Sequence, residues 1–352
     1  MVNRTPIGDT LAAKPSPAKV YFELETYDRY HRDDWEERLG SLFSGAPQTA
    51  MRVTRADEAD FIIEPQVWHS FLAGRTFRTA PGSHYRRHPE KTFAWDSGDS
   101  PNGRLPGLYC SLSHRLASPA RHRGFCYPLR TNRLVRECAL DEARLLFGFS
   151  GNVTSPLRAR LFVELQGAAR TGLGLLRRTE SIFNRLYYKE SDQDRARFID
   201  DMRQCHFVLC PRGNGLSSIR LFETMEAARV PVIISDALML PQCVNWSECS
   251  IQVPERDIAR LPAILAARES DWERLARNAR RQWERCFGEA NLLPTLLDQV
   301  RDIVRTRAGT EKSERYFFPV RVLPDFLLVK AKAAARRIQA LPRRAARQAS
   351  SR

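Results

Sequence analysis

The chain has 352 residues, 56 Lys and Arg against 41 Asp and Glu, a formal net charge of +15 and 43% hydrophobic residues. That length supports about two domains, each with a core of its own. No run approaches the roughly 18 apolar residues that cross a bilayer, and the polar, proline-bearing start MVNRTPIGDTLAAKPSPAKV lacks the apolar core of a secretion signal. Eight cysteines occur, none in C-x-x-C or zinc spacing. Free thiols acting as small hydrophobes in a reduced, cytoplasmic setting are the expectation.

In chain order, residues 1–18 read as a flexible arm. KVYFELE (19–25) predicts a strand, 33–43 a helix, and FIIE (61–64) a second strand. A loop rich in Arg, His and Gly follows from 74 to 89. The strand at 91–95 runs into Asp96-Ser97-Gly98-Asp99-Ser100-Pro101, a polar loop at a strand end, where open α/β sheets place functional residues. Residues 102–143 give only short apolar pieces, at 107–112 and 125–129. LLFGF (145–149) predicts a strand, and Ser155-Pro156 starts a helix with proline in its first turn. The segment 167–189 is ambiguous, and 194–204 predicts a helix.

The stretch from Cys205 to Asp236 organises the rest. The apolar run 206–210 predicts a strand, and Pro211-Arg212-Gly213-Asn214-Gly215 is a turn cluster. Ser217 or Ser218 is placed to cap a helix reaching about Arg229, and 232–235 is a second β-branched run. Strand, glycine loop, helix and strand make a βαβ unit with a parallel sheet. Its chemistry favours an anion. Gly213 and Gly215 let backbone N–H groups approach a ligand, and the helix start adds its dipole. Arg212 and Arg220 supply two cations suited to a phosphate. Glu223, one turn beyond Arg220, shares its helix face and could accept the hydroxyls of a ribose. A plain βαβ unit with a surface Arg–Glu pair is the alternative, because Gly213-x-Gly215-x-x-Ser218 misses the third glycine of the dinucleotide fingerprint. After this unit, 250–253 predicts a strand, and 257–268, 271–287 and 292–305 predict helices. Residues 306–318 read as a linker and 326–341 as a last helix.

The run CPRGNGLSSIRLFETMEAARVPVIISDALMLP, followed by Val244-Asn245-Trp246-Ser247-Glu248, resembles the signature of the exostosin family of glycosyltransferases. That signature is a strand ending in CPRG, then SxRLxEAMxAGxVPVIxSD, LPF and a tryptophan motif. LLFGFSG (145–151) with Arg158 and Arg160 resembles the family's upstream strand, glycine and arginine block. ADFIIEP (59–65) resembles its N-terminal run. The likeness covers roughly residues 19–290. It implies an α/β fold of the GT-B type, two doubly wound Rossmann-like domains facing a cleft. The domains are expected at 19–140, on the acceptor side, and at 141–305, binding the nucleotide-sugar, with 306–352 as linker and basic tail. Animal members are membrane-anchored; this composition fits a soluble, bacterial-type member.

The resemblance further implies an inverting glycosyltransferase that uses a nucleotide-sugar, with UDP favoured as the nucleotide, and needs no metal or other cofactor. Arg158, Arg212 and Arg220 would hold the diphosphate, Gly213, Asn214, Gly215, Ser217 and Ser218 would add contacts, and Glu223 would hold the ribose. Glu223 matches the second glutamate of the E-x7-E motif of related GT-B enzymes, whose first position is Gly215 here. The triplet Asp192-Gln193-Asp194 reads as a helix start rather than a metal site. The base for the acceptor hydroxyl is open between Glu64 and Asp96, with Asp99, His84 and His88 behind them. The acceptor would be a glycan or a lipid-linked glycan. Residues 326–352 carry eight Lys and Arg and no Asp or Glu, which suits a solvated tail or peripheral contact with an anionic membrane. The rival classes are a nucleic-acid- or membrane-binding basic protein and an inactive glycan- or donor-binding relative. Nucleic acid is disfavoured because no aromatics interleave with the basic tail.

Overall fold

The computed structural model describes residues 16–24, 29–66, 83–99, 101, 103–129, 132–179, 192–307, 309–311 and 313. The arm up to residue 15, most of the loop expected at 74–89, and the basic tail from 314 lie outside the described residues. Among those described, no helix is long and apolar enough to cross a membrane.

The first sheet contains β1 (Ala18–Phe22), β2 (Ala50–Arg52), β3 (Phe61–Gln66), β4 (Thr92–Asp96), β5 (Gly107–Tyr109) and β6 (His122–Gly124). All are parallel, in the order β2-β1-β3-β4-β5-β6. Parallel strands are covered on both faces and so read as continuous apolar runs; β4 is buried along its whole length. Helix α1 (Arg29–Gly45) lays Trp35, Leu39 and Leu42, spaced for one helix face, on Phe22, Phe93 and Trp95. The opposite face carries Ala94, Tyr85 and Tyr109.

The second sheet holds β7 (Leu145–Gly151), β8 (Gly174–Arg178), β9 (Cys205–Pro211), β10 (Val230–Ile234) and β11 (Ile251–Gln252), again all parallel, in the order β11-β10-β9-β7-β8. Around it lie α2 (Pro156–Arg170), α3 (Asp192–Arg203), α4 (Arg220–Glu226), α5 (Leu261–Ala266) and α6 (Trp272–Phe287), and α7 (Glu289–Thr306) follows α6. Ser155 caps α2 by accepting the Arg158 N–H at 3.4 Å, with Pro156 in the first turn as expected. The Asp192-Gln193-Asp194 triplet opens α3, where Asp192 pairs with Arg195. The architecture is therefore the expected pair of Rossmann-like α/β units.

Three expectations change. Helix α4 spans only seven residues; it begins after Ile219 with no side-chain cap from Ser217 or Ser218. It ends early because Ala228 turns into the left-handed region at φ 53°, and the buried Arg229 then donates to the carbonyls of Cys138, Ala139 and Arg203. Helix α7, expected to finish the second domain, returns to the first and places Leu296, Leu297, Val300 and Ile303 in the same core as Trp35 and Leu39. The expected linker from 306 instead plants Glu311 in the interior. Its carboxylate is fully buried, 2.6 Å from Arg121 and 2.7 Å from the Tyr85 hydroxyl.

The two units are also joined through chain 238–241. Leu238 bridges Ser113 and Pro241 bridges Gly124. Phe222, Met225 and Phe287 complete the shared core against Phe125.

Candidate active site

In the second sheet the strand order reverses direction between β7 and β9. Connections leave such a switch point on opposite faces and open a crevice at the carboxyl ends of the strands. Here those ends are Gly151 and Pro211. Arg158, in the first turn of α2, folds back over both and donates to Asn152 O and Pro211 O at 3.2 Å each. Gly213 lies against the same guanidinium; a Cβ there would stand 3.4 Å from Nη2. Arg220, the first residue of α4, donates to Ser150 O. Its guanidinium carbon stands 4.7 Å from the centre of the Phe149 ring and 5.2 Å from that of Phe198. Arg158 flanks the same Phe149 ring at 5.6 Å.

Among the described residues, neither arginine has a carboxylate at ion-pair distance. Burial, and then the charge of Arg220, bring Arg158 down from 12.5 to about 10. Burial lowers Arg220 too, with Cys210 and Glu223 opposing. Arg158 Nε, Arg220 Nε, Thr154 Oγ1 and Ser235 Oγ are buried without hydrogen-bond partners among the described residues. Buried cations and orphaned donors at a strand-end crevice are an arrangement suited to an anion. Glu223, close enough to Arg220 to act on it electrostatically, lines a cavity of about 50 Å³ together with Tyr127, Phe222, Trp283 and Phe287.

The first sheet faces this crevice through the loop after β4. The Asp99 carboxylate takes the backbone N–H of Gly215 and the side chain of Asn214, and feels the charge of Arg158. Burial is the larger influence and raises its pKa. Asp96 ends β4 in register with Gln66. It is 1% exposed and accepts the Gly98 N–H at 2.7 Å. Burial pushes its pKa from 3.8 to about 7.

The structure thus brings Arg158, Arg220, Gly213, Asn214 and Gly215 together with Asp99, while Asp96 is buried at the start of the same loop and meets the Gly98 N–H. Other expected site residues are engaged elsewhere. The Arg212 guanidinium forms a paired contact with Glu255 at 2.7 and 3.2 Å, so it is not turned to the switch point. Ser217 faces Tyr127, and Ser218 is buried at the start of α4. Two of the expected backbone donors are occupied, since Gly213 N–H reaches Ser217 O and Gly215 N–H reaches Asp99. Gly215 is small for a different reason than expected: a Cβ there would lie 2.8 Å from Asp99 O and 2.9 Å from Ser111 Oγ. It admits the other domain rather than a ligand.

Glu64 is spent on a turn. It accepts from Ser83 Oγ at 2.8 Å and His84 N at 2.7 Å, and burial raises its pKa. Beside it, His84 Nε2 meets Glu23 Oε2 at 2.5 Å, at the switch point between β1 and β3. His88 stacks on His84 at 6.4 Å. Glu23 and Tyr127 were not foreseen. Glu23 lies within a predicted strand and carries no motif, and Tyr127 precedes a proline in an uninformative stretch.

Two parallel sheets whose carboxyl edges meet through a cationic, glycine-bearing loop define a two-domain α/β protein. Residues 139–267 match the exostosin GT47 domain, and over that segment the chain is exostosin-like. It is 36% identical over 80 residues to an exostosin-1 homolog of Caenorhabditis elegans, covering 22% of this chain and 21% of that one. It is 39% identical over 79 residues to a probable glucuronosyltransferase of Oryza sativa subsp. japonica, covering 22% and 19%. The matched segment is thus about a fifth of the length of these relatives. Among solved structures, Anabaena HepE in complex with UDP and glucose aligns with a TM-score of 0.41 and 10% identity, over 82% of this chain and 99% of that one. A glycosyltransferase from Rickettsia africae aligns with a TM-score of 0.39 and 7% identity, over 84% and 100%.

Proposed function

We propose that this protein is a glycosyltransferase that moves a sugar from a nucleoside diphosphate donor, UDP-linked in the favoured reading, to a hydroxyl of a glycan or lipid-linked glycan. The observation that carries this reading is the pair of buried arginines at the β7–β9 switch point, Arg158 and Arg220, neither of which has a carboxylate at ion-pair distance among the described residues. A diphosphate placed there takes charge-assisted hydrogen bonds from both. As the bond to the anomeric carbon breaks, negative charge grows on the leaving diphosphate. Fixed cations in a water-poor site stabilise that charge without rearranging. This is the work a divalent cation does in other transferases, so the reading is metal-independent. The exostosin match and the relatives' printed names support the same class.

Glu223 holds the ribose of the donor by accepting from its hydroxyls. Asp96 is the base. Its pKa of about 7 suits a carboxylate that takes a proton near neutral pH, and the Asp99–Gly215 contact keeps its loop against the donor loop. One displacement by the deprotonated acceptor inverts the anomeric carbon. Arg212 acts on the diphosphate only if it leaves Glu255. The basic tail would hold the enzyme near an anionic membrane surface that carries the acceptor.

The test is release of nucleoside diphosphate from a panel of nucleotide-sugars, with EDTA present, for the wild-type protein and Asp96→Asn. The proposal expects EDTA-resistant release with one nucleotide family and at least a 100-fold loss in the variant. Release that requires added divalent cation, or that is unchanged in Asp96→Asn, would overturn the metal-independent or the base assignment respectively.

A further inference from the structure

Cys243 and Cys286 meet where the two units are joined. Cys243 follows chain 238–241, which bridges to Ser113 and Gly124 of the first unit. Cys286 is in the last turn of α6, just before α7 turns back to the first unit. Cys286 Sγ donates to Cys243 O at 3.1 Å. Arg285 Nη2 donates to the same carbonyl at 2.6 Å. The two thiols are also close enough to act on each other's ionisation. Cys243 is half-buried, and Cys286 is 2% exposed.

We propose that Cys243 and Cys286 are a modification site, at which hydrogen peroxide converts the thiol pair into a reversible disulfide that pins the inter-unit crossing to the end of α6. Cys286, as thiolate, attacks one oxygen of the peroxide and the O–O bond breaks. Its sulfur loses two electrons and becomes a sulfenic acid; the hydroxide released takes up a proton as water. Cys243 then attacks the sulfenic sulfur. The S–S bond forms, the S–O bond breaks, and the departing hydroxide leaves as water with the Cys243 proton. Two thiols and one peroxide give one disulfide and two waters.

The division of roles follows from the surroundings. Cys243, and then the charge of Arg285, oppose burial and bring Cys286 down; on ionising, Cys286 gives up its donation to Cys243 O, which Arg285 continues to hold. Cys286 and burial push Cys243 up, so it is the resolving thiol. Burial pushes Cys126, Cys205 and Cys210 up to about 12, which leaves them as unreactive thiols. Peroxide is small enough to reach a sulfur that larger disulfide reagents cannot.

The full chain is treated with a small excess of hydrogen peroxide, quenched, alkylated, digested and analysed by mass spectrometry. The proposal expects one linked pair of peptides, joined through Cys243 and Cys286 and separated again by dithiothreitol. It also expects a rise in unfolding temperature of roughly 5 °C, as for a cross-link closing a long loop. In Cys243→Ser the cross-link and the rise vanish, and dimedone traps a sulfenic acid on Cys286. Full alkylation of both cysteines after peroxide would overturn the proposal, as would linkage of either to another cysteine, or sulfinic acid at Cys286 in the wild type. The peptide measurement on the wild-type chain decides the matter even if the variant folds poorly.

Discussion

Replacing Arg158 with methionine separates a binding arginine from a structural one. In the empty protein its charge is unfavourable, because the shift from 12.5 to about 10 corresponds to ~3 kcal/mol of disfavoured ionisation. Methionine removes that penalty and keeps apolar contact with Phe149. It forfeits the hydrogen bonds to Asn152 O and Pro211 O, about 1 kcal/mol each. The two effects nearly cancel, so urea unfolding of the variant is expected within about 2 kcal/mol of wild type. Binding behaves otherwise. A diphosphate loses one or two charge-assisted hydrogen bonds of about 1.5–3 kcal/mol each, so the dissociation constant for a nucleoside diphosphate rises roughly 100-fold. Calorimetric titration beside urea unfolding reads both quantities. Affinity within threefold of wild type would refute the reasoning, as would a collapse of stability with no separate loss of binding.

Asp96 predicts two opposite pH effects. As a base it must be ionised, so turnover should rise with pH through about 7 and then level. Its raised pKa means that the protonated carboxyl stabilises the fold below pH 4 and that this stability is lost as pH rises through about 7. Asp96→Asn is therefore expected to be more stable than wild type at pH 8, by up to ~4 kcal/mol, and equal to it near pH 4; thermal unfolding at both pH values checks this. Gly215→Ala would set a Cβ 2.8 Å from Asp99 O, and overpacking of that kind costs about 1–3 kcal/mol, measured by urea unfolding. Ala228→Gly should do the reverse. Relief of a left-handed L-residue contributes about 1 kcal/mol, and an unfolding temperature unchanged or lower would show that φ 53° carries no strain.

The βαβ unit was legible because its apolar runs and turn cluster are local signals. So was α2, whose Ser155-Pro156 start is a local device. What failed to show depends on partners far away in sequence. α4 is shorter than its apolar pattern suggests because Ala228 must turn and Arg229 must reach carbonyls at 138, 139 and 203. Glu311 reads as a linker residue until Arg121, 190 positions earlier, is placed beside it. Gly215 looks like a ligand-cradling glycine, yet what it admits is Asp99. Arg212 and Arg220 were singled out by the glycine loop and helix start, and Arg158 by the family resemblance alone; of the three, Arg212 turned to Glu255. Whether a motif arginine serves a ligand or an ion pair is fixed by the carboxylates that the fold brings near it, and Glu255, which captures Arg212, lies 43 residues further along the chain.

The central claim is a metal-independent diphosphate site at the β7–β9 switch point, completed by Glu223. Thermal unfolding with a panel of nucleoside diphosphates, with and without EDTA, beside Glu223→Ala, tests it most directly. The account predicts a rise of several degrees with one nucleotide at ligand near 100 times its dissociation constant, about 2.7 kcal/mol of linkage. That rise should survive EDTA and disappear in Glu223→Ala. No rise with any nucleoside diphosphate, or a rise abolished by EDTA, would contradict it.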